Sequence, residues 1–213
     1  MEMALENKRH FPLWRRSIFV SINEGLSMLV QPSRSPFPQP PALAALIEAL
    51  RQADAQAPAA MLPDAIGRVL EDFVPGDPAQ LLLPHQCRGD GERYARHLLY
   101  AHPQGRFSVV ALVWQPGQYT PVHGHYTWCA YAVLQGALLE ERFEWDAGQG
   151  CAHPAGWSER PAGSTACAHA GLLDIHRLRN AGRHAAISLH VYGVDGERVA
   201  THVNRLAPPG PGR

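Results

Sequence analysis

Two histidines one residue apart, His123 and His125, close the segment Gly117-Gln-Tyr-Thr-Pro-Val-His-Gly-His. A third, His176, follows about fifty positions later in His-Arg-Leu-Arg-Asn180. Side chains on an extended strand repeat every two residues, so the two imidazoles of the pair share one face. His176 sits in another β-like run and can complete a face of three nitrogens on one metal ion. Imidazole suits Fe, Zn, Cu or Ni better than Mg or Ca, so the chemistry is that of a transition metal. An isolated alternating pair is more often a surface feature; the glycine frame of Gly117 and Gly136 and the third histidine favour a metal centre. Downstream, Ser188, His190 and Tyr192 alternate as well, which puts a hydroxyl, an imidazole and a phenol on one strand face.

These groups need strands to carry them. Tyr94–Ala101, Phe107–Trp114, Cys129–Glu140, the region around Arg142–Trp145, Leu172–Arg179 and Ala185–Tyr192 are short runs rich in leucine, β-branched and aromatic residues. Gly, Pro, Asn and Asp separate them, at Pro103, Pro116-Gly117, Gly136, Asp146-Ala-Gly148 and Asn180-Ala-Gly182. Many short strands without intervening long helices predict a mainly β antiparallel sandwich or barrel. Ahead of it, Leu43, Leu46, Ile47 and Leu50 fall at helical spacing within Pro41–Gln56. A second short helix is predicted over Pro63–Phe73, with Asp64 near its start and Pro75 ending it. Residues 1–16 mix charge and aromatics without a period, and the stretch from Pro32 to Pro41 holds five prolines, so residues 1–40 read as a flexible tail. One domain is expected over 41–205, with helices in 41–75 and the barrel from about 85 to 205. Residues 206–213 are expected to be a disordered end.

Composition narrows the partners. Lys+Arg and Asp+Glu each total 19 in 213 residues, so no charge footprint suggests nucleic acid or an anionic membrane. Cys87, Cys129, Cys151 and Cys167 are far apart, with neither a CxxC pair nor a disulfide framework. The apolar stretch Ser17-Ile-Phe-Val-Ser-Ile runs into Asn23, Glu24 and Gly25, too short and polar to span a bilayer. A cytoplasmic protein, monomeric or weakly self-associating, is the expectation.

The frame Gly117-x5-His123-x-His125-x3-Cys129-x6-Gly136 is similar to the first cupin motif, with Cys129 where that motif has glutamate. His176-x3-Asn180 is similar to the end of the second, without its usual Pro-x-Gly. More specifically, Ser188-Leu-His190-Val-Tyr192-Gly and Tyr94-Ala-Arg96 resemble the Ser-His-Tyr and Tyr-x-Arg segments of the thiol dioxygenases, the cysteine dioxygenase family. The resemblance covers roughly residues 85–200, with the motifs in the family's order.

That resemblance implies a cupin-type double-stranded β-helix, or jelly roll, with short N-terminal helices. It implies an Fe(2+) centre on His123, His125 and His176 that adds both atoms of O2 to the sulfur of a small carboxylated thiol. It further implies that Ser188, His190 and Tyr192 form a hydrogen-bonded chain whose hydroxyl reaches the iron pocket. Arg96, helped by Tyr94, would bind the substrate carboxylate. Relatives acting on 3-mercaptopropionate tend to carry glutamine there and an arginine after the Ser-His-Tyr segment; Arg198 does not match that register, which tilts the substrate toward L-cysteine. Mercaptosuccinate is a further alternative. Cys129 is expected near Tyr192, either crosslinked to it by a thioether or as a buried thiol. The competing readings are a non-catalytic metal-binding cupin and, ranked last, a zinc hydrolase, for which no general-base carboxylate is evident near the histidine pair.

Overall fold

The computed structural model describes residues 39–73 and 77–210. The expected N-terminal tail, except Gln39 and Pro40, lies outside the described residues, as do Pro75 and residues 211–213. Helix α1 spans Pro41–Gln56 and α2 spans Leu62–Phe73. Ten strands follow: β1 (Ala95–Ala101), β2 (Ser108–Trp114), β3 (His123–His125), β4 (Cys129–Gln135), β5 (Ala137–Asp146), β6 (Cys151–Pro161), β7 (Thr165–Ala168), β8 (Gly171–Arg179), β9 (Ala186–Tyr192) and β10 (Asn204–Leu206). They form two five-stranded sheets, ordered β1-β2-β9-β4-β7 and β10-β3-β8-β5-β6. All pairings between these strands are antiparallel. The sheets enclose a lumen, and the architecture is the mainly β cupin-type jelly roll the sequence implies.

The central strands β2, β9 and β4 of the first sheet are buried on both faces, and their alternation decides which residues reach the lumen. Val109, Ala111 and Val113 of β2, Ala130 and Ala132 of β4, and Leu189 and Val191 of β9 pack outward against Leu43, Leu46 and Leu50 of α1 and Ile66 and Leu70 of α2. Burying each such leucine or isoleucine contributes about 1.5–3 kcal/mol. The alternate positions Val110, Leu112 and Trp114, Cys129, Tyr131 and Val133, and Tyr192 face inward as the second core. Helices thus cover one face of the sheet and leave the other for the site.

Two sequence expectations change in detail. The run Cys129–Glu140 is not one strand: Gly136, at φ +72°, turns the chain, and the second half joins Arg142–Trp145 in β5 of the other sheet. An added Cβ at Gly136 would press on the Ala186 backbone, so glycine suits both the turn and the space. Residues 206–210, expected as part of a disordered end, are paired and tied to the barrel. Leu206 pairs with His123, Ala207 is buried, Pro209 bridges Ala152, and the Gly210 amide donates to the Ala152 carbonyl. Strand β6 went unread because Pro154, Gly156 and Pro161 break its pattern. As the edge of its sheet it tolerates prolines that a central strand would not.

Candidate metal centre

Strand pairing brings the histidines together. β3 lies antiparallel beside β8 with His123 directly opposite His176, while His125 stands opposite Gly171 across an irregularity in the ladder. The intervening Gly124 cannot be larger, because a Cβ there would run into the Gly171 carbonyl oxygen. The three imidazoles are buried, their ring centroids 4.7–5.1 Å apart, and one nitrogen from each lies within 4.8 Å of the others.

Their protonation follows from their partners. His123 Nδ1 is 2.8 Å from the Pro121 carbonyl, which only accepts, so Nδ1 carries the hydrogen and Nε2 keeps a lone pair. His176 Nδ1 is 2.8 Å from Glu140 Oε1, and Arg160 donates two hydrogen bonds to the other oxygen, Oε2. Burial alone would raise the Glu140 carboxyl; the His176 hydrogen bond, the Arg160 charge and the Arg160 hydrogen bonds outweigh it and hold the group to about 2. An ionised carboxylate accepts only, so His176 also carries its hydrogen on Nδ1 and frees Nε2. Burial, then the neighbouring His176, push His123 down to about 3; burial, His176 and His123 push His125 down to about 2. His123 and His125 are therefore neutral near pH 7. His125 Nδ1 is buried without a hydrogen-bond partner among the described residues. Buried neutral nitrogens with convergent lone pairs fit a transition metal.

A hydrogen-bonded chain runs along β9 toward the same pocket. Ser188 Oγ is 2.9 Å from His190 Nε2, and His190 Nδ1 is 3.1 Å from the Tyr192 hydroxyl. The His190 ring stacks with Tyr131, centroids 5.1 Å apart, and with Tyr192, centroids 5.6 Å apart. Burial, followed by the nearby Cys129, raises the Tyr192 hydroxyl well above its ordinary range, so it stays protonated. At the mouth, the Arg96 guanidinium donates to the Tyr94 hydroxyl at 2.6 Å and lies 5.0 Å from that ring's centroid. Tyr94 in turn stacks on Trp114, centroid to centroid 4.5 Å. His123, His125, His176, His190, Tyr192, Tyr94, Arg96 and Cys129 all line one narrow pocket. Ser188 lies behind it, fully buried.

Residues 85–200 match the family described as cysteine dioxygenase type I. The chain belongs to the cysteine dioxygenase family. The rat cysteine dioxygenase type 1 is 30% identical over 132 residues, covering 61% of this chain and 64% of that protein. The mouse protein gives the same values. The chain thus spans a little under two thirds of the length of these cysteine dioxygenases. Among solved structures, the TT1209 protein from Thermus thermophilus is 22% identical, covers 52% of this chain and 91% of its own, and has a TM-score of 0.41.

Cys129 stands directly opposite Tyr192 in the β4–β9 ladder, in the same core as that tyrosine. Burial raises its thiol, which keeps it protonated. Arg198 is exposed in a short 3-10 turn and is not among the pocket walls, which leaves Arg96 as the guanidinium at the mouth. Trp128 crowds Gly193 and joins the helix-side core. Glu140 is the group sequence reasoning missed. It is a carboxylate bound to His176 rather than beside His123 and His125, and its one signal is the inward alternation Leu138, Glu140 along β5. A larger cavity, about 520 Å³, lies beyond Cys129 and His176 among Tyr131, Arg142, Arg160 and Asp174.

Glu140→Gln keeps an acceptor for His176 but removes the charge, and is expected to weaken metal binding about 10–100-fold in a chelator-competition titration. The folded-state value of Glu140 lies below 4.5, so its stabilisation is complete above that pH and is lost as pH falls toward about 2. In metal-free protein the substitution should flatten the stability–pH curve over that window. Unchanged affinity and an unchanged curve would make Glu140 a passive wall.

Proposed function

We propose that this member of the cysteine dioxygenase family is an Fe(II)-dependent thiol dioxygenase acting on a small thiol that carries a carboxylate, with L-cysteine the favoured substrate. The reaction adds both atoms of O2 to the thiolate sulfur and yields the sulfinate, so no other oxidant or reductant is consumed. The observation that carries this reading is that one pocket holds a three-imidazole face, a protonated tyrosine hydroxyl and a guanidinium. A binding module needs the first of these and neither of the others.

His123, His125 and His176 would hold the iron. Bound there, ferrous iron supplies open coordination positions for thiolate and dioxygen and the electrons that activate the latter. Three neutral ligands leave the divalent charge uncompensated, which favours an anionic sulfur. Arg96 presents a planar fork suited to a carboxylate, and the hydrogen bond to Tyr94 steadies it. The Tyr192 hydroxyl donates toward oxygen as negative charge develops there. Leu112, Leu178 and Trp114 make part of the remaining wall apolar, with Thr120 and Asn204 beside them.

The register of Cys129 against Tyr192 makes them neighbours in the pocket, which favours a buried free thiol beside the tyrosine over a thioether formed with loss of two hydrogens when iron and dioxygen supply the oxidant. Peptide mass spectrometry of turned-over enzyme should find the two peptides separate; a joined pair lighter by two hydrogens would show the thioether instead.

Oxygen uptake with sulfinate detection, across cysteine, 3-mercaptopropionate, mercaptosuccinate and cysteamine, tests the activity. Cysteine is expected to be the best substrate, and no uptake with any thiol would sink the proposal. Arg96→Ala should depress kcat/KM for cysteine far more than for cysteamine, which lacks the carboxylate. Arg96 is exposed in the free protein, so the difference should be on the order of 1.5–3 kcal/mol, as for a hydrogen bond to a charged group. Equal losses on both thiols would reduce Arg96 to a structural role.

A further inference from the structure

Trp114, at the inner end of β2, is fully buried, and its indole Nε1 donates to Ser188 Oγ at 2.9 Å. Indole nitrogen can only donate, so Ser188 Oγ is the acceptor in that bond. Ser188 Oγ has one other partner among the described residues, His190 Nε2. Were Nε2 to carry a hydrogen, Ser188 would accept twice and its own hydroxyl hydrogen would be buried without an acceptor, an arrangement folded proteins avoid. Ser188 must therefore donate to a bare Nε2. A neutral imidazole then has its hydrogen on Nδ1, which donates to the Tyr192 oxygen. That leaves the Tyr192 hydroxyl hydrogen no partner among the described residues and turns it to the pocket it lines with His123, His125 and His176.

We propose that Trp114 is a positioning residue that sets the direction of the whole chain, locking His190 as the Nδ1–H tautomer so that the Tyr192 hydroxyl presents its hydrogen to the metal pocket. The same indole stacks on Tyr94, whose hydroxyl accepts from Arg96. One buried ring therefore supports the relay through its N–H and the carboxylate anchor through its face. This rests on the thiol dioxygenase reading for its consequence, but the tautomer itself does not.

The test is nitrogen NMR of metal-free protein carrying 15N-histidine, which separates pyrrole-type from pyridine-type ring nitrogens. His190 in the wild type is expected to show pyrrole-type Nδ1 and pyridine-type Nε2. Replacing Trp114 with β-(3-benzothienyl)alanine keeps the ring and removes the N–H. The His190 signals should then shift toward a mixture of the two tautomers. Ser188→Ala should release the lock in the same direction, and stands in if the first replacement does not fold. In iron-loaded enzyme the benzothienyl protein should lose on the order of 10-fold in kcat with little change in KM for the thiol. A wild-type His190 protonated on Nε2, or signals that do not move when the indole N–H is removed, would overturn the proposal. Absence of thiol oxidation in the wild type would overturn the functional reading instead and leave the tautomer result standing.

Discussion

Three imidazoles buried side by side between the two sheets are the constraint around which the rest of the structure is arranged. A buried imidazolium beside two other imidazoles is strongly penalised, and burial and mutual repulsion hold His123 and His125 far below their ordinary range. For at least two of the rings the hydrogen must also sit on the outward nitrogen, and the Pro121 carbonyl and the Glu140 carboxylate see to that. Arg160 compensates the charge that Glu140 brings inside. A carbonyl, a carboxylate and a guanidinium thus decide what three nitrogens can bind.

The fold supplies the proximity. His123 and His176 are cross-strand neighbours, so the second sheet's register is itself part of the site. The first sheet contributes the opposite wall, and its helices matter because they let β2, β4 and β9 be apolar on the outer face and chemically diverse on the inner one. Trp114, Ser188, His190 and Tyr192 are all inward positions on two paired strands, with Leu112 opposite Ser188 and Val110 opposite His190. A one-residue slip there would turn every one of them into the helix-side core.

Much of this was legible from spacing. The histidine pair, Ser188-x-His190-x-Tyr192 and the helix Pro41–Gln56 all depend on local periodicity, which sequence displays directly, and α1 has the expected bounds. What escaped reading depends on non-local contacts or on edge positions. Glu140 looks like any strand acid until β5 is laid beside β8 and His176 meets it. β6 carries prolines because one of its edges is free, and residues 206–210 look like a tail until they pair with β3 and bridge Ala152. Trp114 reads as core from its composition alone, and it is core; its second role lies in which hydroxyl its N–H meets.

Iron K-edge absorption on anaerobically reconstituted protein tests the central claim most directly. The proposed ferrous centre predicts one iron per chain with three imidazole nitrogens in its first shell, at roughly 2.0–2.2 Å as for other imidazole–metal bonds. His176→Ala should lose one of them. Iron that washes off on gel filtration, or a first shell with fewer than three imidazoles in the unmutated protein, would contradict the account.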